Sequence, residues 1–117
     1  MSNPFARPEQ DWTAQEVAAR LERGEIELID VREPYEREAG HIAGSRHVEL
    51  ERLASEVESI PRDKPVVFQC RLGARSGMAT RAFCEAGWDA HNLEGGIQAW
   101  ADAGLPLAPD GGYVADH

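Results

Sequence analysis

With 117 residues, the chain has room for one domain with one core and too little for two ordinary ones. Hydrophobic residues make up 42% and charged residues 28%, and the net charge of −9 speaks against nucleic acid or an anionic membrane surface as a partner. No segment approaches the ~20 apolar residues of a membrane span. Met1 to Pro8 lacks an apolar signal core, and Cys70 and Cys84 alone make no disulfide framework. The expected compartment is a reducing cytoplasm.

Residues 1–10 read as an arm containing two prolines. Thr13-Ala14-Gln15-Glu16 has the capping-box pattern, Val17 and Leu21 fall on one helical face, and Gly24 is a plausible stop. Ile26 to Val31 is a short apolar run that predicts a buried strand with Asp30 at its carboxyl end. Arg32 to Gly40 predicts a short helix, with Pro34 at its first position and Gly40 closing it. His41 to Gly44 reads as a turn. Leu50, Leu53, Val57 and Ile60 recur at helical spacing, which predicts an amphipathic helix ending before Pro61.

Pro65 to Gln69 predicts a second strand. Ser76 is expected to cap the helix that follows, with Gly87 terminating it. Asp89 to Leu93 reads as a weaker strand. Glu94-Gly95-Gly96 turns into a last helix carrying Ile97 and Trp100, closed by Gly104 and Pro106, and residues 108–117 read as a tail. Strands alternating with helices predict a parallel sheet covered on both faces, with its sites at the carboxyl ends of the strands. Asp30 and Cys70 both belong at that end.

The loop Gln69-Cys70-Arg71-Leu72-Gly73-Ala74-Arg75-Ser76 carries the chemistry. Strand, tight loop and helix start together make an anion pocket, where inward backbone N–H groups favour a sulfur as thiolate. Cys70 is therefore read as a nucleophile. Its spacing to Arg75 is Cys-x4-Arg, whereas a cysteine phosphatase needs Cys-x5-Arg to wrap a phosphate. The residue at that further place is Ser76, and Gln69 stands where that signature has histidine. The shorter cradle suits a single sulfur atom, and Gly73 allows the turn that aims the N–H groups inward.

Cys70-Arg71-Leu72-Gly73-Ala74-Arg75-Ser76 resembles the active loop of the rhodanese family of sulfurtransferases. Leu28 to Glu36, Gly40 to Ser45, and Leu93 to Trp100 followed by Gly104-Leu105-Pro106 are similar to the family's other signatures, in order, over residues 11–107. The resemblance implies a rhodanese-like three-layer α/β sandwich: a mostly parallel five-stranded sheet with helices on both faces. It also implies transfer of a sulfane sulfur, from thiosulfate or a related persulfide donor, to a thiol or cyanide acceptor through a persulfide on Cys70. Arg71 and Arg75 would bind the anionic end of the donor, and Leu72, Gly73, Ala74 and Ser76 would complete the cradle. No cofactor or metal is implied, and His41, His47, His91 and His117 are too scattered to suggest a metal site.

Asp30, Arg32 and His41 are expected to be structural groups near the site. Cys84 reads as a small buried hydrophobe, with a resolving thiol as the alternative. The three tryptophans read as packing. Two functions fit: an enzyme turning over a small anionic donor, and a persulfide carrier that meets a protein donor or acceptor.

Overall fold

The computed structural model describes residues 10–117. The arm expected over residues 1–10 lies, apart from Gln10, outside them. The middle strand, β4 (Val66–Gln69), is buried along its whole length. Val66 and Phe68 pack into one apolar cluster and Val67 into another, so both faces of the strand are covered. That double burial is why it reads as a continuous apolar run.

β2 (Glu27–Asp30) and β5 (Ala90–Leu93) flank β4, with β1 (Asp11–Trp12) and β3 (Arg46–His47) at the edges. The order is β1-β5-β4-β2-β3 and every ladder is parallel. The expected five-stranded sheet is present. Its two-residue edge strands are too short to show a period of two, so the sequence reading of individual segments passed over them.

α1 (Ala14–Glu22) and α5 (Gly96–Asp102) cover one face, burying Val17, Ile97 and Trp100 against Leu28, Val67 and Leu93. α4 (Ala74–Glu85) and α3 (Leu53–Glu56) cover the other. There Phe83 lies between Phe68 and Trp88, with ring centroids 4.8 and 4.9 Å apart. α1 starts as expected: Thr13 Oγ1 accepts from Glu16 N at 3.1 Å and Glu16 Oε1 accepts from Thr13 N at 3.3 Å.

The helix expected over Leu50 to Ile60 is instead three pieces. A 3-10 turn spans Leu50–Arg52, then comes α3, then a 3-10 turn over Val57–Ser59. The four apolar residues do face the core. Their steps are three, four and three, so only the middle one has the α repeat and the outer two have that of a 3-10 turn.

α2 (Pro34–Ala39) follows β2 and ends at Gly40. Glycine is not there to allow a left-handed stop, since its φ of 176° is extended backbone. A Cβ would instead lie 2.4 Å from the backbone oxygen of Tyr113. The C-terminal segment read as a tail runs against α2. His41 and Ala108 exchange backbone hydrogen bonds at 2.9 and 2.7 Å, and Tyr113 N donates to Ala39 O at 2.9 Å.

Candidate active site

β4 delivers Cys70 at its carboxyl end, and Gly73 turns the chain there with φ at 110°. That left-handed residue starts α4 immediately, so Gly73 takes the cap position expected of Ser76. Ser76 is buried in the first turn instead, aimed back at the sulfur. Gly73 N donates to Cys70 Sγ at 3.0 Å, and Ser76 Oγ lies 3.3 Å from the same sulfur.

Asn92, on β5, holds both groups in place. Its Oδ1 accepts from Ser76 Oγ at 2.6 Å and its Nδ2 donates to Gly73 O at 3.3 Å. A hydroxyl has one proton, so Ser76 cannot donate to Asn92 and to the sulfur at once. A thiol can donate to the Ser76 oxygen. An anionic sulfur would draw the Ser76 proton to itself. Asn92 was not foreseen; its signal is an uncharged amide in a buried strand that ends beside the loop.

Behind the loop, Ile97 N donates to Cys70 O at 2.8 Å and Gln98 N to Arg71 O at 3.1 Å. Gly96, with φ at 64°, makes this approach possible: a Cβ there would stand 2.4 Å from Arg71 O. The resulting pocket has a volume of about 210 Å³ and is lined by Cys70, Arg71, Leu72, Ala74, Arg75 and His117. Cys70 itself is buried.

The two arginines have different partners. Arg75 makes a two-pronged contact with Glu36 on α2, with Nη1–Oε1 at 2.9 Å and Nη2–Oε2 at 3.0 Å, and the Glu36 side chain is wholly buried. Burial pushes the Glu36 carboxyl up. The Arg75 hydrogen bonds, the Glu33 backbone N–H and the Arg75 charge outweigh it and hold the group below its ordinary range. For Arg75, burial lowers and the Glu36 contacts raise, with a net rise. Arg71 meets Asp116 Oδ1 at 3.1 Å at the surface, and its Nε is buried without a partner.

Asp116 belongs to the C-terminal segment, which forms a strap across α2 to the pocket mouth. Tyr35 Oη donates to Asp116 O at 3.1 Å, and His117 Nε2 lies 3.1 Å from Glu33 Oε2. Glu33, Glu36 and His117 bring ligand-type atoms within 4.8 Å of one another. Arg75 takes both Glu36 oxygens, so that carboxylate is already engaged. Neither Glu36 nor the strap was foreseen as part of the site. Glu36 has the spacing of a helix cap, which it also is, accepting from Glu33 N at 3.0 Å.

Asp30, Arg32 and His41, expected near the site, do not line the pocket. Asp30 is in register with Gln69. It accepts from Arg32 Nε and Nη2, each at 2.9 Å, inside the protein, and Arg32 also reaches Gly40 O at 2.8 Å. His41 Nδ1 is 3.3 Å from Arg37 O. Cys84 sits in the last turn of α4, about 15 Å of helix rise from Ala74 at the loop end. It accepts from Gln10 Nε2 at 3.2 Å and packs at the edge of the core. It is too far from Cys70 to resolve a persulfide there. No helix among the described residues is long and apolar enough to cross a membrane.

The family model for the rhodanese-like domain matches residues 13–103. The chain is 43% identical over 75 residues to an uncharacterized protein, YqhL, of Bacillus subtilis, covering 63% of this chain and 60% of that protein. It is 37% identical over 113 residues to an HTH-type transcriptional regulator, Rv0324, of Mycobacterium tuberculosis, covering 94% of this chain and 49% of that one. The chain thus spans about half to three-fifths of these two curated relatives. It is 33% identical over 101 residues to thiosulfate sulfurtransferase GlpE of Pseudomonas aeruginosa, covering 86% and 87% of the two chains. Among solved structures, a rhodanese-related protein of Thermoplasma volcanium superposes with a TM-score of 0.79 at 29% identity, covering 85% of this chain and 97% of that one.

Proposed function

Because the chain belongs to the rhodanese-like domain family, we propose that it is a sulfurtransferase whose nucleophile is Cys70. The similarity to thiosulfate sulfurtransferase GlpE and to a sulfurtransferase of Allochromatium vinosum, 38% identical over 89 residues, supports the class of reaction. The observation that carries the reading is the Gly73 N–H aimed at Cys70 Sγ inside a pocket sized for a small molecule.

The Cys70 sulfur, as thiolate, attacks the outer sulfur of thiosulfate. The new Sγ–S bond forms as the donor's S–S bond breaks, and sulfite leaves with the electron pair. The charge stays in the pocket, now on the terminal sulfur of a persulfide. The Gly73 N–H and the Ser76 hydroxyl, which meet Sγ, would stabilise the anionic cysteine sulfur before attack and when it is released again. Attack of cyanide on that terminal sulfur releases thiocyanate and returns the thiolate; a thiol acceptor takes the same sulfur in the same way. Arg71, at the mouth, receives the anionic end of the donor, and Arg75, locked by Glu36, adds its charge to the pocket wall.

Incubating the protein with thiosulfate is expected to add one sulfur to its intact mass, and Cys70→Ala is expected to abolish the adduct. An adduct that survives in the variant sinks the assignment.

A second reading is a persulfide carrier that works with a protein partner. It is favoured by the regulator Rv0324, of whose length the chain matches only 49%. Steady-state turnover with thiosulfate and cyanide near background, together with efficient loading from a protein persulfide, would select this reading over the first.

A further inference from the structure

The two arginines of the loop are neutralised in unlike ways. Glu36 is wholly buried, is carried on a helix and binds Arg75 through both oxygens. Asp116 binds Arg71 through one oxygen, and its side chain is 96% exposed. The first pair is part of the packing. The second is a surface contact that costs little to break and weakens with salt. The strap does not need that contact to stay in place. Tyr113 N, Tyr35 Oη and His117 hold it to α2 and its cap, and Tyr35 binds the Asp116 backbone and not its carboxylate.

We propose that Asp116 is a specificity-determining residue that gates the Cys70 pocket toward anions. It holds Arg71 in an exchangeable ion pair, and an anionic sulfur donor binds by displacing that carboxylate. The proposal rests on Cys70 being the reacting sulfur. Rotation of one exposed side chain frees the guanidinium while the strap backbone stays seated. The donor's anionic group then takes over the contact at Nη2, with the unpartnered Arg71 Nε beside it. Uncharged reagents have no use for Arg71 and pass without the exchange. Arg71 therefore selects anions and Asp116 sets how strongly it does so, while Arg75 remains tied to the fold.

The test uses two alkylating reagents of nearly the same size, anionic iodoacetate and neutral iodoacetamide, with peptide mapping to separate Cys70 from Cys84. Each replaces iodide on carbon with the Cys70 sulfur, so no sulfur chemistry is required. The ratio of the iodoacetate to the iodoacetamide rate constant at Cys70 is expected to rise about two- to fivefold in Asp116→Asn, the range open to an exposed ion pair. It is expected to fall in Arg71→Gln, and Asp116→Asn should have no further effect in that background. High salt should bring the wild type and Asp116→Asn ratios together. Tyr35→Phe, which loosens the Asp116 backbone, should shift the ratio in the same direction by less. An unchanged ratio in Asp116→Asn, or the same rise in the Arg71→Gln background, overturns the gate and leaves Cys70 as nucleophile intact. Alkylation of Cys84 alone overturns the reading of Cys70 as the reacting sulfur, and with it both proposals.

Discussion

Arg75 and Glu36 join α4 to α2 through two nearly equal contacts of 2.9 and 3.0 Å, the carboxylate being buried and the guanidinium reaching the pocket wall. Arg75→Ala strands a buried carboxylate, and breaking such a pair costs about 3–5 kcal/mol; the partial exposure of Arg75 argues for the lower end. Lysine keeps the charge and loses the fork, so Arg75→Lys should lie between wild type and alanine. Denaturant unfolding measures this. An alanine variant with the wild-type midpoint would show that Glu36 has another partner.

The same pair sets an acid response. Glu36 is held below its ordinary value of 4.5 in the folded protein. A depressed folded-state pKa gives stability that is present above the unfolded value and lost as pH falls through the folded one. The wild type should therefore lose stability below about pH 4.5 partly through Glu36. Glu36→Gln should be less stable than wild type at neutral pH, and the gap between the two should narrow as the pH drops. A gap that stays constant from pH 7 to pH 3 would falsify the assignment.

Asn92→Ala leaves the Ser76 hydroxyl and the Gly73 carbonyl without their buried partner. About 1–3 kcal/mol of stability should go with it. Persulfide formation should slow as well, because the loop N–H is no longer fixed on the sulfur. Loading monitored by intact mass under single-turnover conditions reads the second effect. A variant that is destabilised yet loads at the wild-type rate would reduce Asn92 to a packing residue.

Gly40→Ala tests the strap. The new methyl would meet the Tyr113 backbone at 2.4 Å from oxygen and 2.6 Å from nitrogen, with no flexible side chain to give way. The strap should detach while the sheet stays folded. Hydrogen exchange is expected to speed up at the Tyr113 and Ala108 amides and to remain slow in β4. Unaltered protection at Tyr113 would mean that the backbone accommodates the methyl by some other shift.

Much of this was legible in the sequence because local signals agreed with the tertiary outcome. Val66 to Gln69 is buried on both faces and reads as such; Thr13 and Glu16 cap what they appear to cap. What the sequence left out shares a cause, which is that one residue type served two purposes. Gly40 reads as a helix stop, which it is, and it also makes room for the strap. Ser76 reads as a cap and is there for the sulfur. Glu36, to which the sequence reading gave no role of its own, caps α2 and also receives Arg75. The strap was illegible for a different reason. Its anchors are backbone groups at Ala108 and Tyr113, and these leave no trace in side-chain pattern.

The glycine at 96 acts on the loop carbonyls as well as on the start of α5. By letting α5 come close, it turns the carbonyls of Cys70 and Arg71 toward the amides of Ile97 and Gln98. Two negative dipoles that would repel a charged sulfur are thereby withdrawn from its surroundings. Before any cation at the rim is considered, the two loop carbonyls that an anion would meet are already engaged by the amides of α5.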